Sequence, residues 1–124
     1  MKDKTEYVIR EDIKYGPLEK VDVEAIEQAC EHEWFNQSLC RVNDCVARLG
    51  ILKGEFHRHK HDEEDELFFV LKGRLSIDLD GRTIELGPNQ GTVIPRGVPH
   101  CPRAPEGTVV LMIEGATVKP TGDD

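Results

Sequence analysis

The chain has no apolar stretch approaching the roughly 20 residues that span a bilayer, no Cys-x-x-Cys pair, and no surplus of positive charge. Each absence removes a class of function. Without an apolar span, no membrane partner is expected. The start, Met1-Lys2-Asp3-Lys4-Thr5-Glu6-Tyr7, carries charges where a signal peptide has its apolar centre, so a cytoplasmic location is expected. Lys+Arg 16 against Asp+Glu 24 gives a net charge of -8, which repels nucleic-acid phosphates, and no basic stripe or helix-turn-helix pattern offsets it. No nucleic-acid partner is expected. The spacing of Cys30, Cys40, Cys45 and Cys101 fits neither a zinc ribbon nor a thioredoxin-type pair, so they are expected to be buried or partly buried free thiols. Internal repeats, low-complexity tracts and a phosphate-cradling glycine loop are also missing.

What is present fits one domain, since 124 residues give about one at roughly 150 residues per domain. The segment Val21 to Trp34 combines helix formers with a possible Asp22 N-cap and places Ala25, Ile26, Ala29 and Cys30 on one face, which predicts a short amphipathic helix. Thr5 to Ile13 is a strand or arm, and Tyr15-Gly16-Pro17 a turn. From Arg41 onward the pattern changes to period two. Cys45, Ala47, Leu49 and Ile51 alternate with Asp44, Val46, Arg48 and Gly50; Leu75, Ile77 and Leu79, then Ile84 and Leu86, repeat the alternation, each predicting a strand with one buried face. Turn signals at Lys53-Gly54, Lys72-Gly73, Asp80-Gly81 and Gly87-Pro88-Asn89 separate these strands, and Thr108 to Ile113 supplies the last. Short, closely spaced strands predict an all-β sandwich or barrel.

The chemistry concentrates in Gly54 to Gly73, where His57, His59 and His61 alternate ahead of the acidic run Asp62 to Glu66. In an extended chain, residues two apart point to one face, so His59 and His61 can aim both rings at one point. Glu66 abuts the apolar strand Leu67 to Leu71 and therefore has a reason to point inward. A second segment, Val93 to His100, places a lone histidine after a Pro-x-Gly turn.

Together, His59-x-His61, four residues, Glu66, six residues, Gly73, and then Pro95-x-Gly97-x-x-His100, resemble the two motifs of the cupin superfamily. The match covers about residues 54 to 101. The resemblance implies a double-stranded β-helix, a six-stranded jelly-roll barrel, here with a short N-terminal helix. The expected division is residues 1–39 as an arm and helix packing on the barrel, 40–118 as the barrel, and 119–124 as a flexible tail. It also implies metal ligands at His59, His61, Glu66 and His100. Counting instead from His57 puts the carboxylate at Glu63 or Glu64 and the glycine at Val70 or Leu71, so that register fails. Three departures leave the ligands intact: four residues rather than five separate Gly54 from His59, Asn89 replaces the glycine that opens the second motif, and Ala104 stands where the family has asparagine.

Three imidazoles and a carboxylate suit a divalent transition metal, iron, manganese, nickel, copper or zinc, better than calcium or magnesium. A small-molecule substrate or ligand is the expected partner. Stand-alone cupins of this size resemble proteins labelled mannose-6-phosphate isomerase-like, but a fold does not fix a reaction. The expected function is metal-dependent small-molecule chemistry of dioxygenase, isomerase or lyase type; the alternative is a non-catalytic metal- or metabolite-binding module. On a regular strand His57 and Glu55 share the inward face, which makes them the candidates for proton transfer, and Arg48, Arg58, Arg96 and Arg103 are candidates to neutralise an anionic substrate. His32 is expected at the surface. Sheet edges and the resemblance together predict a homodimer.

Overall fold

A computed structural model describes residues 7–117 and 122. In chain order the elements are β1 (Tyr7–Arg10), α1 (Val23–Ala29), β2 (Trp34–Val42), β3 (Cys45–Glu55), β4 (Glu66–Lys72), β5 (Leu75–Leu79), β6 (Arg82–Leu86), β7 (Gly91–Ile94) and β8 (Cys101–Gly115). Hydrogen bonding orders the strands β1-β2-β3-β8-β4-β7, with β5 branching from β8 and β6 pairing with β5. The result is the jelly roll that the resemblance implies, a sandwich that does not close into a barrel. Its pivot is the 15-residue β8, which pairs with β3 along most of its length, with β4 through Val109–Glu114, and with β5 through Cys101–Arg103. One long strand shared by three partners bends the sheet around a common interior. All pairs are antiparallel except β1 with β2.

The helix is shorter than its pattern. Asp22 caps it as expected, Oδ1 accepting from the Ala25 amide at 3.0 Å, but it stops at Ala29, and Cys30 is already extended. Helix formers continue to Trp34, yet Trp34 is buried as the first residue of β2, paired with Tyr7 on one side and Leu52 on the other. Burying that indole outweighs the few tenths of a kcal/mol per residue that propensity offers.

Two apolar clusters result. The inner one gathers Trp34, Leu52, Phe56, Phe68, Val70, Leu75, Ile77, Val110 and Met112 between the layers. The outer one, Ile26, Phe35, Leu39, Leu49 and Val109, lies under α1. Because both faces of β3 are covered, its assignment to one buried face needs correction: Val46, Arg48, Gly50 and Leu52 are buried along with Leu49, whereas Cys45 is exposed. All four cysteines are free, with Cys30 and Cys40 half-buried and Cys101 buried. The turns follow the sequence. Gly81, at φ 82°, closes a two-residue hairpin between Leu79 and Arg82, and Asn89 takes the left-handed angle, φ 66°, that its replacement of glycine requires. The predicted tail, residues 119–124, lies outside the described residues except for Gly122.

Candidate metal centre

Two loops carry three of the four predicted ligands, and a short bridge joins them. The His59 amide donates to the His100 carbonyl at 3.0 Å and the His100 amide returns a bond to His59 at 2.8 Å. The Gly97 amide donates to the His61 carbonyl at 2.7 Å. Glu66 opens β4, held between Ile94 of β7 and Glu114 of β8. Backbone pairing thus brings residues about 40 positions apart to one point, and one ligand atom from each of His59, His61, Glu66 and His100 lies within 4.8 Å of every other.

Protonation suits metal binding. Nδ1 of His59 lies 3.0 Å from the His57 carbonyl and Nδ1 of His100 lies 2.9 Å from the Val98 carbonyl. A carbonyl only accepts, so each Nδ1 carries the proton and each Nε2 presents a lone pair. Burial lowers His59 to about 4, against the pull of the His57 carbonyl, so its ring is neutral at pH 7. His61 Nε2 and His100 Nε2 stand 3.3 and 3.5 Å from Glu66 Oε1. Among the described residues, none of these three atoms has a partner in hydrogen-bond geometry, nor has His61 Nδ1. Buried polar atoms without partners cost about 1–3 kcal/mol each, and a cation where His61 Nε2, His100 Nε2 and Glu66 Oε1 meet satisfies those three together.

Behind Glu66 stands a group the sequence reading missed. Glu114 is buried beside it and also meets Arg48, whose Nε lies 3.0 Å from Glu114 Oε1; both side chains are almost wholly buried. Burial alone raises Glu66, but the hydrogen bond from Glu114 and then the two imidazoles outweigh it, holding Glu66 well below the usual carboxylate range. Glu114 moves the other way, raised by burial and then by Glu66, with Arg48 opposing. Glu114 therefore holds the proton and donates it to the Glu66 carboxylate. A signal existed: Glu114 continues the parity of Val110 and Met112, both buried.

Beside the ligands, a cavity of about 30 Å³ is lined by Ile9, Trp34, Leu52, Phe56, Phe68, Pro102 and Met112, with Asn36, His59 and Glu66 as its polar members. Tyr7 closes over this region, its ring edge-on to Trp34 and Phe56 and its hydroxyl donating to the Glu55 carbonyl at 2.8 Å. Gly122 also lies against His59: a Cβ there would fall 2.5 Å from the His59 Cβ.

The predicted proton-transfer residues stand elsewhere. β3 bulges between Leu52 and Gly54, with Gly54 at φ 113°, and ends at Glu55; Phe56 turns inward, leaving Glu55 and His57 exposed. The regular-strand assumption that put both on the inward face fails because β3 ends at Glu55: Leu52 and Phe56 face the core at one parity, and the chain leaves strand geometry before His59 and His61 turn inward at the other. Arg58 and Arg96 are exposed and pair with Asp80 and Asp65, and Arg103 pairs with Asp78 at 2.7 Å. None of the four arginines lines the cavity, since Arg48 is engaged with Glu114. His32 is exposed, as expected, stacked on Phe35.

Comparison with known proteins agrees with this fold. The uncharacterized protein YdbB of Bacillus subtilis (strain 168) is 40% identical over 91 residues, covering 73% of this chain and 80% of that protein. The crystal structure of a cupin-2 domain containing protein from Shewanella frigidimarina NCIMB 400 superposes with a TM-score of 0.73 at 30% identity, covering 77% of this chain and 93% of that one. NMB1881 from Neisseria meningitidis shares the fold, with a TM-score of 0.71 at 23% identity over 78% of this chain and 99% of that one. The family described as Cupin domain matches residues 50–118, more than half of the sequence, and the chain belongs to that family.

Proposed function

We propose that His59, His61, Glu66 and His100 hold one divalent transition metal and that the protein acts on, or holds, one small ligand beside it. The observation that carries this reading is the convergence of buried imidazole nitrogens and a carboxylate oxygen that lack other partners among the described residues. Such a set fits iron, manganese, nickel, copper or zinc. A bound metal of this kind supplies Lewis-acid polarisation and, if redox-active, electron transfer to dioxygen. The chain's own residues do the rest. His57 and Val98 carbonyls orient two rings, Glu114 steadies Glu66, and Trp34, Phe56, Phe68 and Tyr7 keep bulk water from the site.

The cavity bears on the choice between enzyme and binding module. At about 30 Å³ it holds one or two waters or a molecule of similar size. Among the described residues, Asn36 and the indole N–H of Trp34 are the polar side-chain groups in its lining apart from the ligands, and neither is a base at pH 7, so proton transfer within it falls to the metal-bound groups themselves. A small, mostly apolar cavity favours retention of a small ligand, which keeps the non-catalytic module as the second reading.

Metal analysis of protein purified without added metal tests the first claim. About one equivalent per chain is expected, falling below a tenth in His61→Ala and His100→Ala while circular dichroism keeps its β spectrum. Absence of metal, together with no thermal shift on adding any of the five ions, removes the reading. Turnover in oxygenase, isomerase or lyase screens that vanishes in His61→Ala selects the enzyme; retention of a small ligand without turnover selects the module.

A further inference from the structure

A second recess, of about 230 Å³, lies on the opposite side of β2 from the metal cavity. Alternation along the strands separates the two: Ile9, Trp34 and Asn36 face the cavity, whereas Arg10, Phe35 and Gln37 face the recess, with α1 as its far wall. Its composition runs against that of the chain. In a protein of net charge -8, the lining contains Arg10 and Lys14 and, among the described residues, no carboxylate. The Arg10 guanidinium sits 5.4 Å from the centre of the Phe35 ring, and the Lys14 ammonium 5.8 Å from that of Tyr15. Neither cation has a carboxylate partner among the described residues, so the aromatic faces hold them while their N–H donors stay available. The His32 ring lies within 16° of parallel to Phe35, which makes one wall flat and aromatic. Opposite it, α1 presents the methyl groups of Ala25 and Ala29 beside Ile26, and the small alanines leave the space open.

We propose that this recess binds a small aromatic carboxylate, its carboxylate on Arg10 and Lys14 and its ring along His32 and Phe35. Size sets the class: at the roughly 30 Å³ that a water-sized unit occupies in a liquid, the recess holds about eight non-hydrogen atoms, close to the nine of one ring and its carboxylate. A nucleotide is too large. Small inorganic anions use the cations but leave the aromatic wall bare. The site does not depend on the metal centre.

Benzoate is the probe, titrated into the full chain in EDTA so that metal coordination does not contribute, with amide shifts read by NMR. Saturable shifts are expected in α1 and around Phe35, with acetate and inorganic phosphate at least about tenfold weaker. Arg10→Met and Lys14→Met each weaken benzoate about tenfold or more. Ala29→Leu fills the recess without touching a charge and abolishes binding. The proposal is overturned if no saturable shift appears up to about 20 mM benzoate, if acetate or phosphate binds as tightly, or if the Arg10 and Ala29 variants bind as the parent does.

Discussion

Removing either partner of the Arg48–Glu114 pair is expected to separate stability from metal affinity. Both side chains are almost wholly buried, with 3.0 Å between Nε and Oε1. Removing one side of a buried pair that carries the Arg48 charge costs about 3–5 kcal/mol, against a total stability of about 5–15 kcal/mol. The two single variants differ. Arg48→Met leaves behind a carboxyl that burial has already raised, so Glu114 remains as a neutral acid and the cost falls at the low end, about 3 kcal/mol. Glu114→Leu takes the carboxyl from a guanidinium that cannot shed its proton, which puts the cost nearer 5 kcal/mol. The double variant Arg48→Met/Glu114→Leu replaces both by apolar groups and recovers most of the loss. Urea unfolding in EDTA measures this: at unchanged slope, 3 kcal/mol moves the midpoint by about 1.5–2 M. Metal affinity takes a separate course, because Glu66 loses its hydrogen bond whenever Glu114 is gone. The double variant, though nearly as stable as the parent, is expected to bind metal about 10- to 100-fold more weakly. Single variants that each cost less than about 1 kcal/mol, or a double variant with parental metal affinity, refute the reasoning.

Acid should loosen the metal-free protein through His59. Its ring is lowered from 6.5 to about 4, so between those values the unfolded chain binds the proton more readily, and stability present above pH 6.5 is lost as pH falls toward 4. Thermal melts in EDTA across that window check the direction, and a His59 ring titrating by NMR near 6.5 would contradict it. Thiol labelling should be uneven: Cys45 is exposed, whereas burial and then Glu55 push Cys101 up to about 11, so at pH 8 iodoacetamide followed by peptide mass spectrometry should modify Cys45 well ahead of Cys101. Equal rates would mean that β8 opens at Cys101. A homodimer is expected from the strand edges at β1 and β7, the two ends of the pairing order, and a clean monomer by light scattering at micromolar concentration removes that expectation.

Much of the fold was written locally. Two-residue alternation marks β5 and β6, Asp80-Gly81 marks their hairpin, and Asp22 marks the helix start, because each depends only on neighbours within a turn or a pleat. The end of α1 was less legible. Nothing within the segment says that Trp34 will be buried between Tyr7 and Leu52, and that distant contact ends the helix. The two faces of β3 posed the same difficulty: Arg48 looks like an outward residue until Glu114, 66 positions later, is placed beside it. Glu55 and His57 were misplaced for another reason. Parity counting carries only while the chain stays a strand, and β3 ends at Glu55, so the count from His59 and His61 does not carry back through residues 56–58.

By itself, then, the sequence determined the kind of site: His59, His61, Glu66 and His100 stand in motif spacing, and strand geometry dictates how His59 and His61 point. The tertiary structure alone decided the surroundings of those residues. It set the small apolar cavity, the pairing of Glu66 with Glu114, the exposure of His57, and the separate cationic recess behind β2. The physical reason is range: side-chain direction follows from adjacent residues, whereas burial, dielectric environment and cavity size follow from which distant strands the long β8 brings together.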